Sequence, residues 1–419
     1  MSAAVHDLAA APAARAPARL IRSDDEAIEV AAALAERFRE GSAARDRDRA
    51  LPIAEIDAFS ASGLWGILVP TAFGGAGVSY ATLGRVIGLI ATADGSLGQL
   101  SQNHHFLVEI LKWSASPAQQ AFFFERVLAG DRFGNALAER GTRTAKSWAT
   151  RIVPDGGRYR LSGEKYYSTG ALFADWVVPS VFDEDDRRAY VFVPRGRAGV
   201  EVVDDWNGFG QRTTASGTSR FTDVVVEPEL VVPTHSAAGY TLSLPVAHIM
   251  HAAIDAGIGR RAYEELLDYV RHSARPWHET GLAAATDDPH TLADVGDLSM
   301  RLAAAEALIE RAGRVLDVAD RSPSETAWAE ATAAVFEAKV FAAEVGLSAA
   351  TKLVEHAGSS ATRRDLGNDR YWRDVRTHSV HDPVRWRRHE VGAFRLTGKP
   401  PLGYAEASRR YRNPGRPRL

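Results

Sequence analysis

The chain contains no cysteine and only three methionines, Met1, Met250 and Met300, among 419 residues. The missing cysteine excludes disulfides, thiolate metal sites and thiol nucleophiles together. Lysine is scarce too: Arg outnumbers it about sevenfold, as in GC-rich coding. Coding bias accounts for the arginine but less well for the rarity of methionine, which hints at a protein made when sulfur is short. No apolar run reaches the ~18 residues of a membrane span. A net charge of −3 supplies no general field for nucleic acid or anionic lipid. The first twenty residues are Ala-rich with Pro and Arg, and lack a secretory apolar core with a small-residue cleavage site. Residues 1–22 therefore read as a flexible leader. The expectation is a cytoplasmic protein with no membrane or nucleic-acid partner.

What is present is periodic. Residues 23–138 follow a helical pattern, with Ser23-Asp24-Asp25 as an N-cap before Ala27. Tyr80 to Ala93 reads as an amphipathic helix, interrupted by Asp94–Gly98 before the next. Over 139–235 the period becomes alternating. Arg151-Ile152-Val153 and Tyr159-Arg160-Leu161 flank Asp155-Gly156-Gly157, a hairpin signal. Further short strands at close intervals predict a small barrel or sandwich. Residues 236–397 are helical again, with stripes at Leu298, Leu302, Ala305, Ile309, Ala312 and Leu316, and at Phe336, Val340, Ala343, Leu347, Ala350 and Val354, as in a helix bundle. Residues 398–419 form a basic tail, read as solvated. The expected class is α+β: N-terminal helices, a central β domain and a C-terminal helical bundle.

Six segments carry candidate chemistry. Gln102-Asn103-His104-His105 reads as a helix opening, with His104 a proton donor or positioning group at a pocket mouth. Phe133–Glu139 holds a Gly-Asn pair whose Asn135 offers donors to a ligand. Gly163–Ala171 runs through Tyr167 and Thr169, hydroxyls suited to the polar edge of a ring system. Asp204–Gly217 is a long polar loop with Trp206 and Ser216; loops of this length usually act in function, and a Trp there suits stacking. Arg275, after a helix, suits either the helix dipole or a phosphate. In Tyr371–Pro383, Arg376, His378 and His381 lie on a helix with the two His at i and i+3, a spacing repeated by His248 and His251. Di-iron bundles place a Glu three residues before each His. The corresponding positions here are not acidic, so no metal site is expected.

Taken together, RTHSVHDP, DDWNGFGQRTTASG and YYSTGA resemble the reduced-flavin monooxygenases of the acyl-CoA dehydrogenase fold, the group of dibenzothiophene monooxygenase. The resemblance spans about Ile21 to Leu396 and is nearest to a sulfur-acquisition branch linked to dimethyl sulfone use. It implies reduced FMN, rather than FAD, delivered by a separate NAD(P)H:flavin reductase. It further implies O2 bound as a flavin C4a-hydroperoxide and one oxygen passed to a small organosulfur substrate. By position, it implies that His104, Asn135, Thr169 and His381 surround the reacting centre. Tyr167, Trp206 and His378 would line the substrate pocket. Asn135, Thr169, Ser216, Arg275, Arg376 and His381 would contact the cofactor. Arg275 would reach the FMN phosphate of a neighbouring subunit in a homotetramer. Two positions depart from the pattern: Thr169 replaces Ser, and Ser360 replaces an Arg that reaches the phosphate, leaving Arg363 or Arg364 to compensate.

The alternative reading is an FAD-containing acyl-CoA dehydrogenase with its proton-abstracting base moved, for instance to Glu139 or Glu390. The usual base lies in the stretch corresponding to His378–Asp382, where this sequence offers His. A third reading is a flavin-free helical scaffold.

Overall fold

The computed structural model describes residues 17–142, 148–234 and 241–401. Most of the expected leader and all five Arg of the expected basic tail (Arg409, Arg410, Arg412, Arg416 and Arg418) lie outside these residues. The first six helices are α1 (Asp24–Arg39), α2 (Ser42–Asp48), α3 (Ile53–Ser62), α4 (Tyr80–Ala93), α5 (Gly95–Ser114) and α6 (Pro117–Leu128). Ser23 caps α1 by accepting from the backbone N–H of Glu26 at 3.2 Å. The interruption expected over Asp94–Gly98 is a single residue, Asp94, in extended backbone between α4 and α5. Its carboxylate accepts from the N–H groups of Ser96 and Leu97, so it caps α5, which starts at Gly95. Asn103, His104 and His105 therefore sit in the middle of a buried helix rather than at its opening.

Among the described residues nine strands follow: β1 (Phe133–Ala136), β2 (Arg151–Asp155), β3 (Arg158–Lys165), β4 (Trp176–Phe182), β5 (Arg188–Val191), β6 (Val193–Pro194), β7 (Val200–Val202), β8 (Ser219–Val226) and β9 (Val231–Pro233). The sheet begins at Phe133, within the stretch that reads as helical in sequence. The order is β7-β8-β3-β2-β4-β5-β9, with β1 parallel to β4 and β6 paired on β4. Asp155 pairs with Arg158 across the Gly156-Gly157 turn, as the hairpin signal requires. All of β1 and β4 is buried, because α5 and α6 cover them; Phe123 of α6 packs edge-on against Phe133 and Trp176.

The C-terminal helices are α7 (Ser243–His272), α8 (Pro289–Arg321), α9 (Glu325–Ala357), α10 (Asp369–His381) and α11 (Val384–Thr397). The whole Leu298–Leu316 stripe of α8 is buried. On α9, burial extends well beyond the expected stripe, to Trp328, Ala331, Val335, Ala342, Val345 and Leu353, as for a helix packed on several sides. α7 and α9 touch backbone to backbone: a Cβ on Gly259 would lie 2.7 Å from the Cα of Gly346. This close approach allows the Lys339 side chain of α9 to reach His248 and His251 on α7.

Candidate active site

The site starts at the turn after β3. Tyr167 has φ 59°, an uncommon conformation for a bulky residue. Gln211 and Ala215, in the loop between β7 and β8, also have positive φ, at 47° and 46°. Strained residues concentrated in two touching loops are a mark of a functional site. The loops meet through hydroxyls. Thr214 donates to the carbonyl of Gln211 at 3.0 Å, Ser216 lies 2.7 Å from Thr214, and Thr169 lies 2.6 Å from Ser216. Each hydroxyl has one proton to donate. Because Thr214 spends its proton on the carbonyl, Ser216 donates to Thr214 and Thr169 donates to Ser216. Thr169 Oγ1 is left as an acceptor.

Asn135 joins this turn from β1. Its N–H donates to the carbonyl of Thr169 at 3.1 Å. Its side-chain amide donates to Asn103 Oδ1 on α5, which leaves Asn135 Oδ1 buried without a partner. His104, one residue along α5, is buried and fully committed. Its Nδ1 accepts from the N–H of Phe133 at 3.1 Å, so its proton sits on Nε2, which donates to the carbonyl of Trp65 at 3.1 Å. Burial, then His105, holds its pKa well below the ordinary value. His104 thus anchors β1 and, in this arrangement, has no proton to offer a ligand. His105 beside it is buried with neither ring nitrogen partnered, and burial drives its pKa to about 3.

Trp206 bends over the same turn, its Nε1 donating to the carbonyl of Gln211 at 2.9 Å and its ring 6.1 Å from that of Tyr167. Tyr167 is 52% exposed and marks the solvent side. The other end of the loop is pinned to α10. The N–H of Gln211 donates to Asp374 Oδ1 at 2.5 Å, and a Cβ on Gly210 would come within 2.1 Å of the carbonyl of Arg373. One loop therefore ties Thr169 to the helix that carries His378 and His381.

His378 is 1% exposed and its Nδ1 donates to Asp255 Oδ1 of α7 at 2.7 Å. Its Nε2 is buried and unpartnered. His381 donates from Nδ1 to the carbonyl of His378 at 2.8 Å. His381 stands at the exposed edge of the cluster; desolvation of its ring, then His378 and Lys339, lowers its pKa to about 4, so that Nε2 is its acceptor nitrogen. His248 and His251 of α7 complete the cluster, with the His251 ring 5.0 Å from His378 and 4.6 Å from His381. The two His pairs, which read as separate features in sequence, form one group. One ring nitrogen each from His251, His378 and His381 lies within 4.8 Å of the others, the one such grouping of potential metal ligands among the described residues. The Lys339 ammonium, 3.1 Å from His251 Nδ1, opposes a cation there.

The expected phosphate ligands stand elsewhere. Arg275 is exposed in the segment after α7. Arg376 is half-buried on α10, above the Trp372 ring at 6.0 Å. Ser360 is exposed, and Arg363 is paired with Asp365 at 2.5 Å. Sequence reasoning missed Asp255, Lys339, Asn103 and Thr214. A signal existed for the first: His248, His251 and Asp255 are spaced i, i+3, i+7 on one helix face.

Both carboxylates that would serve a relocated base are engaged. Glu139 accepts from Lys165 at 2.9 Å, from the Thr150 hydroxyl at 2.7 Å and from the N–H groups of Ala149 and Thr150. Glu390 accepts from Arg387 at 2.9 Å.

Residues 25–131 match the acyl-CoA dehydrogenase N-terminal domain model, and residues 249–386 match the C-terminal one. The chain is 33% identical to a dibenzothiophene monooxygenase of Rhodococcus erythropolis over 399 residues, covering 91% of this chain and 95% of that protein. It is 33% identical to the probable FMNH2-dependent monooxygenase SfnC of Pseudomonas putida, covering 90% and 96%. The FMN-bound structure of TdsC from Paenibacillus superposes with a TM-score of 0.85 at 31% identity, over 90% of this chain and 98% of that one. Methanesulfinate monooxygenase MsuC of Pseudomonas fluorescens gives 0.84 at 30% identity, with the same coverage. The chain belongs to the acyl-CoA dehydrogenase fold family, in the branch that contains the dibenzothiophene monooxygenases.

Proposed function

We propose that the chain is the oxygenase component of a two-component flavin monooxygenase. It takes reduced FMN from a separate NAD(P)H:flavin reductase and oxygenates a small organosulfur compound for sulfur acquisition. When bound, reduced FMN supplies the two electrons with which O2 gives one oxygen atom to sulfur and the other to water. The observation that carries this reading is the polarity of the site. Thr169 Oγ1 is left as an acceptor, and Asn135 Oδ1 and His378 Nε2 are buried without a protein partner. Such a lining suits a ligand that brings its own N–H groups, as the reduced isoalloxazine does more than the oxidised one. In the stretch where an acyl-CoA dehydrogenase commonly places its carboxylate base, imidazoles stand instead. Asp382 in that stretch is taken by Lys339 and Arg387.

Asn135, Thr169 and Ser216 are assigned to the flavin ring. His378 and His381 are assigned to the reacting centre, and Tyr167 and Trp206 to the substrate. His104 is assigned a positioning role through Phe133. Exposed Arg275 is assigned to the cofactor phosphate of a second copy in a homotetramer, with Arg376 nearer the ring. The organosulfur substrate follows the relatives' substrates and the sulfur-poor composition. Among the described residues no helix is long and apolar enough to cross a membrane; cytoplasmic location remains part of the proposal.

The test is direct. Reduced FMN added without oxygen raises the melting temperature by linkage. Admission of O2 with a panel of sulfides, sulfones and sulfinates then yields an oxygenated product. Oxidation of an acyl-CoA by an artificial electron acceptor without O2 defeats the proposal.

A further inference from the structure

Lysine is scarce in this chain, and Lys339 of α9 is among the few; it is buried at 2% exposure in the centre of the bundle. A buried ammonium is costly unless its charge is balanced and its protons are hydrogen-bonded. Here both conditions are met. Nζ donates to Asp382 Oδ2 at 2.6 Å, to His248 Nδ1 at 2.8 Å and to His251 Nδ1 at 3.1 Å. An ammonium has three protons, and three acceptors surround it. Asp382 is also bound by Arg387 of α11, at 3.0 Å to Nε. Burial would raise Asp382, but the Lys339 and Arg387 cations hold it ionised. Burial lowers Lys339 while Asp382 opposes the fall. Burial, then Lys339, holds both His248 and His251 neutral. The other titratable groups around the hub are Asp255 and His378, paired with each other, and His381.

This proton count fixes the ring state of His251. A neutral imidazole that accepts at Nδ1 carries its proton on Nε2. In His378 and His381 the engaged nitrogen is instead Nδ1, which donates to Asp255 and to the His378 carbonyl. His251, His378 and His381 each bring a ring nitrogen within 4.8 Å of the others, and with Nδ1 engaged by Lys339 the N–H that His251 can offer to this cluster is the one on Nε2.

We propose that Lys339 is a positioning residue for the oxygenation: by donating to His251 Nδ1 it holds the proton of that ring on Nε2 and so keeps a fixed hydrogen-bond donor in the cluster that His251 forms with His378 and His381. The inference rests on the flavin monooxygenase reading for its consequence, though not for its geometry. Lys339 does not touch the reacting atoms; it acts through His251.

Two readouts separate this role from simple packing. In the full-length protein labelled with 15N in the imidazoles, the His251 signals, identified by their loss in His251→Gln, report an Nε2-protonated ring. In Lys339→Met they move to the Nδ1-protonated form or to a mixture. In the same variant, product formed per reduced FMN oxidised falls about tenfold, the scale for an outer partner of a functional His, and the pH profile of that ratio is displaced. Lys339→Ala recovers coupling in propylammonium, which replaces the missing atoms, and does not recover it in an uncharged amide of the same length. Should Lys339→Met fold poorly, the Lys339→Ala pair still decides. Wild-type ring signals and wild-type coupling in Lys339→Met overturn the proposal, as does equal rescue by the amide. If the wild-type protein oxygenates no organosulfur compound with reduced FMN, the functional reading fails, while the imidazole spectra still decide whether Lys339 sets the ring state.

Discussion

His378 and Asp255 share a 2.7 Å hydrogen bond that ties α10 to α7 inside the bundle, and each side chain is only 1% exposed. The bond commits His378 Nδ1 as donor and leaves Nε2, buried and without a protein partner, as the nitrogen that can meet a ligand. The second oxygen of Asp255 is buried without a partner, so the carboxylate is held there for the imidazole alone. Asp255→Asn preserves shape but presents an amide that satisfies the wrong tautomer half of the time. Turnover is expected to fall ~10–100-fold, the range for outer partners of functional His residues. Reduced FMN should bind with little change, because Asn135, Thr169 and Ser216 are untouched. Anaerobic flavin titration beside product assays checks both halves. Undiminished turnover removes Asp255 from the site.

The hydroxyl chain from Thr169 through Ser216 to Thr214 yields a second expectation. Thr169→Val removes both the donor to Ser216 and the acceptor left for the ligand, at nearly constant volume. Loss of one buried hydrogen bond costs about 1–2 kcal/mol in stability, a small shift in a urea melt. The functional effect should be larger: hydrogen peroxide released per reduced FMN oxidised rises several-fold while product falls. Thr169→Ser restores the chain and should behave like wild type. Equal coupling in the Val and Ser variants separates Thr169 from the chemistry.

Most of the architecture is legible from periodicity, because stripes such as Leu298–Leu316 and hairpins such as Asp155–Arg158 are local patterns imposed by burial and turn geometry. The N-cap at Asp94 is legible in principle and was masked by the glycines around it, which read as a break. Site residues in compact motifs, Thr169 with Ser216 and His378 with His381, stand out because polar residues gather in short loops or on one helix face. Lys339 does not stand out. It is one of many polar residues on α9, and its three partners come from α7 and from the end of α10, 88 to 91 and 43 positions away. The proximity of those elements depends on the Gly259–Gly346 crossing, which no local pattern encodes. The commitment of both His104 nitrogens is hidden for the same reason: its partners Trp65 and Phe133 lie on separate elements.

Asp374 gives a pH prediction. Burial first, then Asp46, raises its pKa to about 7 against the N–H of Gln211, which lowers it. The folded state therefore holds this proton more tightly than the unfolded chain, whose carboxyl titrates near 4. Stability from this group is fully present below pH ~4 and is lost as pH rises toward ~7, by up to about 4 kcal/mol if nothing relaxes. Asp374→Asn keeps an oxygen for Gln211 and cannot ionise. Denaturant melts from pH 5 to pH 8 should show a shallower decline in the variant than in wild type. Parallel pH dependence in the two proteins would remove Asp374 as the source. Because Gln211 belongs to the loop that ends at Ser216, flavin affinity in wild type should weaken over the same window.

Glu139 separates the two chemical readings. Its carboxylate is bound by Lys165, which is itself fully buried, and by Thr150 and two backbone N–H groups. Burial lowers the Lys165 pKa to about 8 while Glu139 opposes the fall. Removing the charge with Glu139→Gln strands the lysine, and breaking a buried pair by one partner costs about 3–5 kcal/mol. A loss of stability of that order is expected, read as a lower denaturation midpoint with unchanged slope. The variant that remains folded should oxygenate at close to the wild-type rate, since an anchor contributes nothing to proton abstraction. A base would behave oppositely, with stability little altered and activity lost. Measuring both quantities on one preparation therefore decides whether Glu139 holds the start of the β domain or attacks a substrate proton.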